Sequence, residues 1–238
     1  MTRPTVVIPH RSRVDLLTRL LRHLSDWRVL VVDDTDDGLD LDVPRVRLGG
    51  GQGFARAVNL GMAHCQGDTV ILLNDDALPI DDCLERLVAA GGLCGPVLVG
   101  PNGVESAGIQ MGWRIRQNTR VPVKDCAVDA LSGACLHMPR ELRFNPDFAH
   151  GYEDVELCRR AGGARLVAAA RCWHEGGATV HRRSEQAQRH AVSGQLRLLE
   201  PGWRDGVVLG LAVAQVVGER GPATRLRGVW AGWRDARR

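Results

Sequence analysis

The feature that most limits the fold of this chain is a repeated unit: a short, wholly apolar run followed by a stretch with helical spacing. Thr5–Pro9 reads TVVIP, Val29–Val32 reads VLVV and Thr69–Leu73 reads TVILL. Runs of this kind, without polar alternation, suit strands buried on both faces, as in a parallel sheet covered by helices. The intervening stretches supply those helices. Ser12 offers an N-cap with Asp15 three residues on, a capping-box pattern, and Leu17, Leu20, Leu21 and Leu24 follow on one face. A weaker strand is predicted over Val43–Leu48. Gly49–Gly53 forms a glycine-rich loop leading into a helix with the stripe Phe54, Ala57, Val58, Gly61, Met62 and Cys65. A further helix is predicted over Pro79–Ala90.

The pattern changes after Gly91. Residues 92–138 are rich in Gly, Pro and short alternating segments, so strands and loops of mixed direction are expected there. A helix is predicted near 152–162, strands near 165–174, and mostly helix from Gln186 onward. The 238 residues fit one large domain with a modest C-terminal appendage. The predicted organisation is a catalytic unit over 1–185, divided into halves at 1–91 and 92–185, with a helical extension over 186–238.

Composition excludes several classes of function. A net charge of +3 is too small to argue for nucleic acid, and no basic stretch is interleaved with aromatic residues. The seven cysteines are odd in number and irregularly spaced, with no C-x-x-C, so neither a disulfide framework nor a zinc ribbon is indicated. A reducing cytoplasm is the expected location. The N-terminus carries no signal-peptide pattern. The longest apolar run, Val207–Val217, is shorter than the roughly 20 residues a membrane-spanning helix needs.

Two of the apolar strands end in acids, Asp33-Asp34 and Asn74-Asp75-Asp76. In open α/β sheets ligands bind beyond the carboxyl ends of the strands, so these side chains should converge on one cleft. Clustered carboxylates repel unless donors or a cation compensate, and Mg²⁺ or Mn²⁺ prefers oxygen ligands and bridges to diphosphate. Strand-end Asp residues also cap turns, a structural role that stays open for Asp33–Asp37.

A second constellation is GYEDVELCRRA over 151–161. Residues three or four apart share a helix face. Asp154 therefore lies with Cys158 and Ala161 on an inward stripe, whereas Glu153 and Glu156 lie with Arg160 on a solvated one. Asp154 is the acid that a solvated face does not explain, and an ionised carboxylate there would suit a base beside a substrate hydroxyl. A plain N-terminal helix acid is the competing reading. The third element is Cys172-Trp173-His174-Glu175-Gly176-Gly177, in which His174 could join carboxylates as a metal ligand or be satisfied structurally.

In order and spacing, the VVIP strand, the VVDD strand end, the glycine-rich turn into an Asn-containing helix, LLNDD, SGA, YEDVELCRRAG and WHEGG resemble the family 2 glycosyltransferases. The similarity is to their rhamnosyltransferase-like branch in particular and covers residues 4–180. It implies a GT-A fold, a mixed Rossmann-like sheet flanked by helices, with a nucleotide-sugar donor, a hydroxyl acceptor, a divalent metal (Mn²⁺ or Mg²⁺) and inversion at the anomeric carbon. By position, Pro9, Asp33 or Asp34, Asn59, Asn74 and Asp75 would serve the donor, and Gly133 with Ser132 would shape the sugar pocket. Asp76 and His174 would bind the metal, Asp154 would be the general base, and Tyr152 and Glu153 would face the acceptor. The chain departs from the family pattern at Asn74, which replaces the first acid of D-x-D, and at His10-Arg11. It departs again at Phe144–Phe148, where the segment before the Glu-Asp pair is short.

The tail over 203–238 joins Trp203, Trp230 and Trp233 to Arg220, Arg225, Arg227, Arg234, Arg237 and Arg238. Such a tail could lie on the anionic inner face of a membrane, or form a helical pair packed on the catalytic domain or on a second subunit as a homodimer. Two rival functions remain: a degenerate domain that binds a nucleotide sugar without turnover, for which Asn74 speaks, and a nucleotidyltransferase. The latter wants its glycine-rich phosphate loop after the first strand, where His10-Arg11-Ser12-Arg13 stands instead.

Overall fold

A computed structural model describes residues 3–112, 115–148, 151–176, 185–198, 209–210, 212 and 222–236. The first half alternates as the sequence predicts. β1 (Thr5–His10), α1 (Val14–His23), β2 (Val29–Asp33), β3 (Arg45–Arg47), α2 (Phe54–Ala63) and β4 (Thr69–Leu73) follow in order. β1 pairs in parallel with both β2 and β4, and β2 with β3. Val6, Val7, Ile8, Val31, Val32 and Val70–Leu73 are all buried, as two-sided coverage demands. α2 lies directly on this ladder because Gly61 has no side chain. A Cβ there would fall 2.5 Å from Val7 and 2.7 Å from Val32.

Three local expectations are corrected. α1 starts at Val14 with Arg13 at its N-cap and no side-chain cap bond. Asp15 instead pairs with the Arg13 guanidinium at 2.7 and 2.9 Å, a stronger partner than the Ser12 backbone. The helix expected from Pro79 begins later, as α3 (Cys83–Ala90), because Ala77–Ile80 forms strand β5. The turn between them passes through Asp81 at φ 51°. The weak third strand is only the three residues of β3.

The second half joins the same sheet. β6 (Cys94–Gly100), β7 (Gly103–Ser106), β10 (Cys126–Val128), β11 (Cys135–Pro139) and β12 (Ala164–His174) extend it, giving the order β10-β12-β6-β11-β4-β1-β2-β3. β5 pairs with β12 and β7 with β6, while β8 (Ile109–Met111) and β9 (Ile115–Gln117) form a separate hairpin. The direction changes at β4, where β11 runs antiparallel with Cys135 opposite Leu73. The segment entering β11 is thereby delivered to the edge where β1, β2 and β4 end. α4 (Glu153–Arg160) precedes β12 and begins at that edge.

The C-terminal helices α5 (Glu185–Leu198) and α6 (Pro222–Ala236) pack together around Val192, Leu196 and Val229. Gly232 permits their close approach, since a Cβ there would meet the Arg189 carbonyl oxygen at 2.3 Å. Of the basic and aromatic tail, Trp203, Arg220, Arg237 and Arg238 lie outside the described residues, as does most of Val207–Val217. Among the described residues no helix is long and apolar enough to cross a membrane.

Candidate active site

The ends of β1, β2 and β4, the glycine turn and the start of α4 enclose a cleft of about 510 Å³. Pro9, Asp34, Asn74, Asp75, Asp76, Ser132, Gly133, Glu153 and Asp154 all line it. Acids separated by some 120 residues in sequence therefore share one cavity.

The β2 end splits its two acids between different tasks. Asp33 turns away from the cleft. Its Oδ1 accepts from the Thr35 amide at 3.0 Å and the Thr35 hydroxyl at 2.6 Å, and its Oδ2 from the Leu39 amide and Arg47, both at 2.8 Å. Burial opposes ionisation, but these donors outweigh it and hold the carboxyl at about 2. Asp33 thus organises the loop behind the site and lies outside the cleft wall. Asp34 faces inward and gathers the glycine turn, accepting from the Gln52 and Gly53 amides at 3.0 and 3.2 Å. Gly50, Gly51 and Gly53 all adopt positive φ. The Arg11 guanidinium, which donates to the Asp34 carbonyl and pairs with Asp36, lies where a Gly51 Cβ would fall, 2.9 Å away.

At the β4 end, Asp75 accepts a 2.6 Å hydrogen bond from or donates one to the buried His10 Nδ1, according to the ring tautomer. Burial raises the Asp75 carboxyl above its ordinary value, and His10 pulls against that. Asn74 Oδ1 and Asp76 Oδ1 are buried and have no hydrogen-bond partner among the described residues. His174, the last residue of β12, stands beside Asp76, with Nε2 3.5 Å from Asp76 Oδ1 and Nδ1 2.9 Å from Glu105 Oε2. Burial alone would depress the imidazole, but the two flanking carboxylates raise it to about 10.

Buried oxygens of Asn74 and Asp76 that lack a partner among the described residues suit a hard divalent ion, and the His174 imidazole beside Asp76 offers a further ligand. Among the described residues no three His, Cys, Asp or Glu side chains converge as a ready-made cage. Any cation here would draw its remaining ligands from substrate phosphate and water, as Mg²⁺ commonly does.

Across the cleft, α4 starts from Tyr152 in the left-handed conformation, at φ 68°. Asp154 Oδ2 accepts from the Gly133 amide and Oδ1 from its neighbour Val155, both at 2.8 Å. Burial raises its proton affinity against the pull of those two amides. A Cβ on Gly133 would lie 3.3 Å from Phe54 and 3.4 Å from the Asp154 Cβ, so a larger residue fits only if the Phe54 ring gives way slightly. Glu156 pairs with Arg160 at 2.9 Å, as the i,i+4 spacing predicts.

The outward face expected for Glu153 is corrected. Glu153 is buried, accepts a hydrogen bond from the Gly151 amide, and is pushed up to about 8 by burial and by Asp154. As the first helical residue, it sits where the chain is still turning in from the cleft, so the regular face count fails. Asn59 also stands apart from the cavity: its side-chain amide bonds the Phe144 carbonyl and amide at 2.8 and 2.9 Å, pinning the 144–148 segment to α2. Tyr152 does not line the cavity either, and packs beside Gly194 of α5. Three residues at or beside the cleft escaped sequence reasoning: His10 and Arg11 belong to a segment noted as a departure from the family pattern, and Glu105 is an isolated acid in a region of short strands.

Residues 5–92 match the family described as Glycosyl transferase family 2. The chain is 32% identical over 193 residues to the pre-mycofactocin glycosyltransferases of two Mycobacterium tuberculosis strains, CDC 1551 and H37Rv. That match covers 68% of this chain but only 40% of each relative's length. Among solved structures, S. aureus TarS 1–349 in complex with UDP-GlcNAc superposes with a TM-score of 0.54 at 14% identity, covering 92% of this chain and 74% of that one. The UTP-bound UGPase of Acinetobacter baumannii superposes with a TM-score of 0.50 at 9% identity, covering 73% and 88%. These likenesses concern the fold: a mixed sheet flanked by helices.

Proposed function

Because the chain belongs to the family 2 glycosyltransferases, we propose that it transfers a sugar from a nucleoside-diphosphate donor to an acceptor hydroxyl with inversion. The reading is carried by one observation. Asp154, oriented by the Gly133 amide, shares a cavity with the strand-end residues Asn74, Asp75 and Asp76.

In this reading the donor occupies the side of the cleft formed by Pro9, Asp34 and the glycine turn. Gly50 and Gly51 offer a floor without side chains, on which a flat base and its ribose can lie. Asn74, Asp76 and His174 would hold a divalent cation. When bound, that cation supplies positive charge to the diphosphate oxygens. Asp154 takes the acceptor proton as the hydroxyl oxygen bonds to the anomeric carbon, and the electron pair of the breaking bond leaves with the diphosphate on the opposite face. The two amides that hold the Asp154 carboxylate fix its direction, and the raised proton affinity makes it a better base than an exposed Asp. Glu153, beside it on the wall, shapes the acceptor side. Holding donor and acceptor in line is the main task of such a two-sided cavity.

Release of nucleoside diphosphate from a panel of sugar nucleotides, with UDP-GlcNAc first because TarS is seen with it, tests the proposal with and without Mn²⁺. Donor-dependent release in wild type, lost in Asp154→Asn while nucleotide binding persists, is the expected result. The neutral oxygen of Asn74 favours a second reading, a domain that binds the donor without turnover. Nucleotide binding with no release in wild type would establish that reading instead.

A further inference from the structure

We propose that Glu105 is a positioning residue for the donor-side cation, fixing the His174 ring so that its Nε2 faces Asp76. The inference rests on the reading of Asp76 and His174 as cation ligands. Glu105 stands on β7 and His174 ends β12, and these strands flank β6 on its two sides. The side chains reach each other across Gly100, the last residue of β6. A Cβ on Gly100 would lie 3.2 Å from the His174 carbonyl oxygen and 3.8 Å from Glu105 Oε2, so the missing side chain leaves the gap in which the pair forms.

An imidazole presents its two nitrogens in divergent directions, and a hydrogen bond at one determines what the other can do. Here Glu105 Oε2 engages Nδ1 at 2.9 Å. The ring is thereby oriented with Nε2 toward Asp76 Oδ1, at 3.5 Å. That separation is too long for a good hydrogen bond, and Asp76 Oδ1 is a buried oxygen without a hydrogen-bond partner among the described residues. An oxygen and a ring nitrogen facing each other across such a gap form one side of a coordination shell. A carboxylate behind a metal-binding histidine is the usual means of fixing the ring, and its loss typically weakens metal binding about 10–100-fold. Toward His174, Glu105 acts from behind: its Oε2 meets the nitrogen that does not face Asp76.

The test measures Mn²⁺ binding by the full chain in the presence of UDP, from the loss of the free-ion electron paramagnetic resonance signal. Wild type should bind, and His174→Ala should bind far more weakly. Glu105→Ala should lose about 10–100-fold in affinity, whereas Glu105→Gln, whose amide oxygen still accepts from Nδ1–H, should retain most of it. Adding Glu105→Ala to His174→Ala should cost nothing more, which a merely structural role would not produce. Thermal melts identify the folded variants, and Glu105→Asp, with a retracted carboxylate, serves if the alanine variant does not fold. Wild-type affinity in Glu105→Ala or Glu105→Asp, with binding lost in His174→Ala, overturns the inference and leaves the ligand reading intact. No Mn²⁺ binding by wild type, or full binding by His174→Ala, overturns the ligand reading and the inference with it.

Discussion

Asp33 at the end of β2 and the Glu153-Asp154 pair at the start of α4 are both withdrawn from bulk water, yet they are pushed in opposite directions. Asp33 collects four donors, one of them the Arg47 guanidinium, and its carboxyl falls to about 2 despite burial. The α4 pair has backbone amides but, among the described residues, no cationic hydrogen-bond partner, so burial prevails and Glu153 rises to about 8. Burial alone therefore does not decide whether an acid is structural or reactive. The number and charge of the donors decide it. An over-satisfied carboxylate ties a loop together, while an under-satisfied one keeps an appetite for a proton.

The contrast can be broken at each member. The largest effect is expected at Asp154, where Asn keeps the shape but cannot accept a proton. Turnover should fall by about 10²–10⁴-fold with nucleotide affinity unchanged, as measured by product release and by nucleotide titration. Next comes Asp33→Ala, which strands buried donors and should cost about 2–3 kcal/mol of stability in denaturant unfolding, with turnover per folded molecule largely kept. An equal loss of turnover would place Asp33 in the chemistry after all.

Glu153→Gln sharpens the comparison through pH. The folded protein holds the Glu153 proton up to about 8, whereas the unfolded chain releases it near the ordinary glutamate value. Its contribution to stability is thus full below that ordinary value and is lost as pH rises toward 8. The melting temperature of wild type should decline across that window, and Glu153→Gln should flatten the decline. The smallest effect belongs to Arg160→Ala, which breaks the Glu156 pair on the solvated face of the same helix. About 0.3–0.5 kcal/mol is expected there, with no change in turnover.

Much of this arrangement is legible in the chain. The apolar runs of β1, β2 and β4 announce the parallel ladder, and their acidic ends announce the edge that carries the cleft, because a two-sided buried strand has a period and composition of its own. Arg160 pairing with Glu156 follows from helix geometry alone. Glu105 is not legible, because its meaning depends on β7 and β12 meeting across β6, a pairing that no local pattern encodes. Glu153 misleads for a related reason: a helical face count assumes a regular turn, and the first residue after a left-handed Tyr152 does not obey it. Asn59 and Asp33 occupy the motif positions of donor contacts, yet their side chains are taken up by Phe144 and by Thr35, Leu39 and Arg47. Motif matching sees residue identity and not partners.

The reversal of strand direction at β4 carries a consequence for how such a protein can diverge. One strand's exit and its neighbour's entry lie side by side at the edge, so the loop that feeds β11 reaches the cavity without crossing the ladder of β1, β2 and β4. Lengthening or rewriting the excursion between β6 and β11 leaves those three strands and the glycine turn undisturbed. On the proposed function, a lineage that keeps Glu105, Ser132 and Gly133 within that excursion can exchange what receives the sugar while inheriting what presents it.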